Sequence, residues 1–228
     1  MSDTSKPFSA WGHIKTALNR IFHEKKRKSV GIFFKITGQF RHHRNLVETN
    51  LRYIINYSNL SKKVNVSVDT IRRWIKVLES LYYCFTIQPW FRNVSRSLLK
   101  QPKIYLWDWS LVIDPGVKSE NFVASHLLKA VHWWTDNGFG DYGLYFLRNK
   151  DGREVDFLVT RNQEPWFLTE VKTGKRKSIS KELVFYQKQI KALHAFQANF
   201  AMDYVNADCF STEQPIIVPV KTLLSQLI

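Results

Sequence analysis

The sequence predicts an α/β protein, with a helical, winged-helix-like N-terminal region followed by a mixed sheet flanked by helices. Three observations support this. Strand-like alternation runs through Gly152–Thr160 and again through Trp166–Lys172. Amphipathic helical spacing precedes and follows those segments. Beyond residue 110 the elements fall in the order α-β-β-β-α-β-β-α, which makes a sheet layered with helices. The expected division is a helical extension over 1–44, a winged helix-turn-helix over 45–110 and a sheet domain over 111–228.

Trp11, Ile14, Leu18, Ile21 and Phe22 recur at helical spacing and predict a helix over 11–24. The basic run over 23–28 suits a solvated helix end as well as it suits phosphate contact. Val30–Phe40 is compatible with strand or loop. From about 45 to 57 a further helix buries Leu46, Leu51, Ile54 and Ile55.

Residues 58–106 read as a winged helix-turn-helix. Leu60–Val66 gives a short helix and turn, and Ser67 caps a second helix with Ile71, Ile75 and Leu78 on its apolar face. That helix exposes Asp69, Thr70, Arg72, Arg73 and Lys76. Strands over Tyr82–Ile87 and Lys103–Trp107 enclose a segment carrying Arg92, Arg96 and Lys100. Thr70, Arg72, Arg73, Lys76, Arg92 and Arg96 are therefore the candidate DNA contacts, the helix entering the major groove of a duplex and the wing meeting its backbone. Protein contact is the competing use of such a module.

Asp114-Pro115-Gly116 signals a turn, and Ser119 is expected to cap a helix running to Trp134 with Glu120 in its first turn. A strand over Leu144–Arg148, a turn at Asn149–Gly152 and the strands carrying Asp156 and Glu170 follow. After the loop Thr173–Ser178, Ser180 caps a helix expected over Lys181–Gln197, with Leu183, Tyr186, Ile190 and Leu193 as its stripe. Strands over Phe200–Val205 and Ile216–Val220 and a helix containing Leu223, Leu224 and Leu227 complete the pattern.

Charge divides the chain. Residues 1–110 carry 20 Lys and Arg against 6 Asp and Glu, whereas residues 111–228 carry 14 against 13. A basic half beside a neutral half points to polyanion binding separated from chemistry, because Lys and Arg contacts to phosphate supply sequence-independent nucleic-acid affinity. No apolar run approaches the ~18 residues of a membrane span, and no signal-peptide core opens the chain, so a cytoplasmic protein without a membrane partner is expected. Cys84 and Cys209 stand far apart with no Cys-x-x-Cys, which argues against a zinc site or disulfide framework.

The chemistry-bearing pattern is Gly152-Arg-Glu-Val-Asp156 followed by Glu170-Val-Lys172. If the two strands pair as a hairpin through Arg161–Pro165, Asp156 and Glu170 become neighbours whose repulsion calls for a cation between them. A divalent metal would meet that need, and Lys172 on the same strand face as Glu170 could hold a water.

Glu120, Asp156 and Glu170-x-Lys172, in the order helix, strand, strand, resemble the PD-(D/E)xK restriction-endonuclease-like fold. Pro102–Asp108 (PKIYLWD), Glu120–Ala124 (ENFVA), Phe146-Leu-Arg148, Gly152–Phe157, Glu170-Val-Lys172 and Ile217–Val220 look like the uncharacterised C-terminal domain of prokaryotic AAA-type ATPases. The resemblance runs from about residue 45 onward and implies a winged helix before a nuclease-like core. It further implies that Asp156 and Glu170 ligate Mg²⁺ or Mn²⁺ with the Val171 carbonyl, that Glu120 supports the metal, and that Lys172 orients the attacking water. Arg148 would contact the scissile phosphate or neutralise the acids, and Gln187 would face the same region. No Gly-x-x-x-x-Gly-Lys-Ser/Thr loop occurs, so no nucleotide and no ATP hydrolysis are expected, and a separate AAA-type ATPase is an expected partner. The functional expectation is a DNA-binding, metal-dependent phosphodiester hydrolase. The alternative is a non-catalytic DNA-binding or ATPase-partnering module that keeps the nuclease fold.

Overall fold

A computed structural model describes residues 57–91, 101–174 and 178–227. The readings for 11–24, 23–28, Val30–Phe40 and most of 45–57 lie outside these residues, as do Arg92, Arg96 and Lys100.

Helix α1 (Tyr57–Val64) ends at Asn65, whose φ of 53° turns the chain into α2 (Val68–Ser80). Ser67 caps α2 by accepting from the Thr70 backbone N–H at 3.1 Å, and Ile71, Ile75 and Leu78 are its buried face, as the spacing requires. Strand β1 (Cys84–Pro89) pairs antiparallel with β2 (Lys103–Leu106) from Cys84↔Leu106 to Ile87↔Lys103. The other edge of β1 pairs parallel with β3 (Tyr142–Arg148), at Gln88↔Tyr145 and Pro89↔Phe146. The β1–β2 pair is thus the rim of the main sheet, so strands on both sides of the 110/111 boundary share one layer.

That sheet is mixed and seven-stranded, in the order β2-β1-β3-β4-β5-β6-β7, with β4 at Glu154–Arg161, β5 at Glu164–Lys172, β6 at His194–Asn199 and β7 at Ile216–Pro219. The β4–β5 hairpin closes through Asn162 and Gln163, both at positive φ (52° and 68°), a two-residue turn whose twist matches the strands it joins. Helix α3 (Pro115–Asp136) covers one face, where Val123, Leu127, Val131 and Trp134 pack on Phe85, Phe146, Phe157 and Phe167. Helix α4 (Lys181–Ile190) covers the other, with Leu183, Tyr186 and Ile190 on Val155, Leu158 and Leu168. The short α5 (Val220–Leu224) returns to the α3 face.

Two expectations change. Helix α3 begins at Pro115, not after Ser119: Asp114 caps it by accepting from the Val117 N–H at 2.9 Å, while the Ser119 hydroxyl donates to the Pro115 carbonyl at 2.8 Å. Asp-Pro is a helix start as readily as a turn, because proline at the first helical position loses no needed donor and has its φ already set. Helix α4 stops at Ile190, where Lys191 enters the left-handed region at φ 58°, and the chain then forms β6 at His194–Asn199. The strand expected over Phe200–Val205 is therefore β6, displaced toward the N-terminus, and Leu193 is exposed. Leu193 continues the helical stripe in sequence, and no glycine marks the stop.

A candidate carboxylate and ammonium site at the sheet end

The site is built where α3 crosses the ends of β2, β4 and β5. Asn121 fixes the crossing. Its buried side chain accepts from the Leu106 N–H at 2.8 Å and donates to the Leu106 carbonyl at 2.7 Å, locking α3 to β2 like an added strand. The preceding residue, Glu120, consequently sits against β2: Tyr105 donates its hydroxyl to Glu120 Oε1 at 2.7 Å, and Lys103 Nζ lies 3.1 Å from the same oxygen. With the helix start at Pro115, Glu120 lies in the second turn, so satisfying the helix dipole is not its purpose.

Lys103 is the residue that reading the sequence missed as a site member. It is only 2% exposed, pairs with Glu120 and, at 2.5 Å, with Glu154 Oε1, and lies 5.3 Å from the Phe146 ring centre. Burial alone pushes its ammonium toward deprotonation, but Glu120, Asp156 and Glu154 outweigh burial and raise its pKa. Its signal in the sequence was a lysine alternating with Tyr105 inside a strand otherwise facing the core.

Asp156 reaches this cluster by an irregularity in β4. The β3–β4 register passes from Tyr145↔Leu158 to Leu147↔Val155, leaving Asp156 and Phe157 opposite Phe146 alone. A bulge of this kind re-aims a side chain. Asp156 Oδ2 accepts from the Val171 N–H at 2.8 Å, tying β4 to β5 where the regular ladder ends. Burial and then the nearby Glu120 push the Asp156 carboxyl up to about 7, against the lowering pull of Lys103 and the Val171 N–H, with Glu170 adding a smaller upward push.

Glu170 and Lys172 lie on β5, two residues apart, and form an ion pair of 2.5 Å. Strand alternation groups them with Leu168, which packs toward α4. Glu170 is 7% exposed, and its Oε2 is buried without a hydrogen-bond partner. Its neighbour in register is the fully buried Gln197, whose amide oxygen accepts from the Ser180 N–H at 2.9 Å and whose amide nitrogen donates to the Ser178 carbonyl at 3.1 Å. Asn199, beside Lys172 in register, donates to the Gly174 carbonyl at 2.9 Å. Together they hold both ends of the segment that follows Lys172.

Gly116, Glu120, Asp156, Val171, Lys172, Thr173 and Gly174 line a polar cavity of about 280 Å³. Asp156, Glu120 and Lys172 therefore meet at one opening, whereas Glu170 lies outside its lining and is paired with Lys172. Among the described residues, however, no three acids or other ligand side chains come together as a ready metal cage. Arg148 is exposed and pairs with Glu154 Oε2 at 3.3 Å, extending the network outward. Gln187 turns elsewhere, its amide donating to the Glu213 carbonyl at 2.6 Å. On α2, Arg72, Arg73 and Lys76 are exposed; Arg72 lies 3.5 Å from Asp69, and Arg73 donates to the Thr70 hydroxyl at 3.4 Å.

Fold and site together define a mixed α/β protein with a partly buried carboxylate and ammonium pocket at the end of its central strands. Residues 116–223 match the family model described as domain of unknown function DUF4143, a domain often found in AAA-ATPase-associated proteins, and residues 31–115 match domain of unknown function DUF8612. The chain is also similar to uncharacterized proteins of Mycobacterium bovis and Mycobacterium tuberculosis, each 25% identical over 141 residues, or 55% of this chain and 30% of the relative. The matched segment thus spans under a third of those relatives' length. No solved structure matches significantly. Among the described residues no helix is long and apolar enough to cross a membrane.

Proposed function

We propose that this chain is a DNA-binding, metal-dependent nuclease of the PD-(D/E)xK kind, hydrolysing phosphodiester bonds at the pocket between α3 and the ends of β4 and β5. The observation that carries the reading is the shared opening of Asp156, Glu120 and Lys172, with Glu170 paired to Lys172. The lining offers only oxygen donors, the carboxylates of Glu120 and Asp156, the Thr173 hydroxyl and backbone carbonyls, and such donors suit a hard divalent cation such as Mg²⁺ or Mn²⁺. Asp156 and Glu170, with the Val171 carbonyl, would hold it. When bound, the ion supplies positive charge to the attacked phosphate.

The chain's own residues do the rest. Asp156, whose carboxyl burial and Glu120 push up to about 7, would have to give up its proton before it could hold the ion. Lys172 presents an ammonium at the pocket and is fixed by Glu170, which suits it to orient a water or a phosphate oxygen. Arg148 is spoken for by Glu154, so neutralising the acids is the role its geometry supports. Nicking of supercoiled plasmid in Mg²⁺ or Mn²⁺, lost in Asp156→Ala and in Lys172→Ala, is the expected result. Absence of cleavage on every single- and double-stranded substrate overturns the reading.

A second reading has its own support. The acids of the α3 face already have a lysine partner, and the α2 surface carries Arg72, Arg73 and Lys76 in the open, in keeping with a winged-helix module that binds DNA or an AAA-type ATPase without catalysis. It predicts salt-sensitive DNA affinity that survives Asp156→Ala and falls in Arg72→Ala with Arg73→Ala.

A further inference from the structure

We infer that the outer face of α3 is a track for a single nucleic-acid strand, whose unpaired bases stack on a row of exposed rings that ends at the pocket. The inference goes beyond the nuclease reading, because binding here needs neither a metal nor cleavage. Lys118, Phe122, His126, Lys129 and Trp133 recur every three or four residues, so they fall in one stripe on the side of α3 away from the sheet. Trp109 meets the Phe122 ring edge-on at 5.1 Å, Phe200 lies 5.8 Å from it, and His126 lies 4.2 Å from it. His126 is fixed there by donating its Nδ1 hydrogen to the Phe122 carbonyl at 2.9 Å. Toward the C-terminal end of α3, the Trp133 and Phe139 rings are 5.4 Å apart, with an angle of 33° between their planes. Trp109, Trp133, Phe139 and Phe200 are each more than a third exposed.

Large rings left in water are a functional signal when they cluster. Rings alternating with cations suit a strand whose bases stack while its phosphates meet ammonium groups. Along the stripe the order is lysine, ring, ring, lysine, ring. The acids of α3 are only Glu120, already held by Lys103 and Tyr105, and Asp136, in the last position of the helix. A protein partner would favour a continuous apolar patch, since lysine is depleted at such interfaces. The two ring groups stand about 16 Å apart at the helical rise, room for a few nucleotides. The row leads to the pocket: Phe200 donates its backbone N–H to the Lys172 carbonyl at 2.9 Å, and Lys118 stands two residues from Gly116. A duplex keeps its base faces stacked on one another and has none to offer these rings, whereas an unpaired strand does.

Fluorescence anisotropy of labelled oligothymidylate and oligouridylate, titrated with the full chain in EDTA, tests this, the tighter of the two naming the favoured sugar. Trp109→Ala with Trp133→Ala should weaken that strand by at least about tenfold, while affinity for a duplex of the same length stays within about twofold of wild type. An abasic strand with the same number of phosphates should bind the wild type as weakly as the intact strand binds the double variant. An abasic strand that binds as tightly as the intact one overturns the inference, and that measurement needs no variant to fold. Equal losses on strand and duplex overturn it as well. So does a dimer, seen by sedimentation, that the same two substitutions abolish, since the rings then serve a second copy of the chain. Cleavage is read separately: a chain that holds the strand through these rings and cuts nothing loses the nuclease reading alone, and one that cuts without such binding loses this inference alone.

Discussion

The Lys103 network and the α2 surface both pair cations with acids, but they do so in opposite settings. Lys103 meets Glu120 and Glu154 beneath α3 with 2% of its side chain exposed, whereas Arg72 meets Asp69 with 59% exposed. Buried ions have given up hydration and depend on every partner, so their positions are fixed. Exposed ions are loosely held by water and salt, and their field acts at a distance. The first arrangement suits chemistry at one point; the second suits attraction of a polyanion.

That contrast can be broken in order of expected effect. Lys103→Met removes a buried cation from the partly buried carboxylates of Glu120 and Glu154, leaving Glu154 with Arg148 alone, and should cost about 3–5 kcal/mol in urea unfolding at pH 7. Adding Glu120→Gln and Glu154→Gln should recover part of it, and an undiminished midpoint in the single variant would show the network to be ornamental.

Asp156→Asn has the opposite sign. Its folded pKa of about 7 exceeds the ordinary 3.8, so the folded protein resists ionising it; the penalty is absent below the ordinary value and grows until pH passes about 7. The variant, free of that penalty, should match the wild type near pH 4 and exceed it by at most on the order of 4 kcal/mol at pH 8. Thermal melts at both pH values check this, and a wild type whose stability relative to the variant does not fall with rising pH would refute the buried-acid account.

Gln197→Ala removes both bonds that hold Ser178 and Ser180, and a loss of about 1–3 kcal/mol is expected, with faster amide exchange at the start of α4. Unchanged exchange there would mean that the segment after Lys172 is held by other contacts. The smallest effect on the fold belongs to Arg72→Ala with Arg73→Ala. Its melting temperature should stay near that of the wild type, while the slope of log affinity for DNA against log salt shrinks by about 2. A large drop in melting temperature would erase the distinction between the two regions.

Much of this fold was legible from side-chain periodicity. The face Ile71, Ile75, Leu78, the hairpin around Asn162 and the order of elements after residue 110 all follow from local pattern. Ends were harder. Lys191 closes α4 in a left-handed conformation with no glycine to announce it, and Asp114-Pro115 reads equally as turn or helix start. Of the candidate site, Asp156, Glu170 and Lys172 were visible as residue types at a telling spacing, and Glu120 only through the family resemblance. Gln197 and Asn199 were hidden because the helix was read past them, and their side chains acquire meaning only beside Glu170 and Lys172 in register.

By itself, then, the sequence determined the order of helices and strands after residue 110, that the basic charge concentrates before it, and which acids and lysine stand near one another along the chain. Only the tertiary structure decided that β1 and β2 join the main sheet, that a bulge sends Asp156 toward α3, and that Lys103 fills the space between Glu120 and Glu154. The reason is physical: periodicity is a property of neighbours in the chain, whereas strand register and the solvation of a buried charge depend on groups that folding alone brings within a few ångströms.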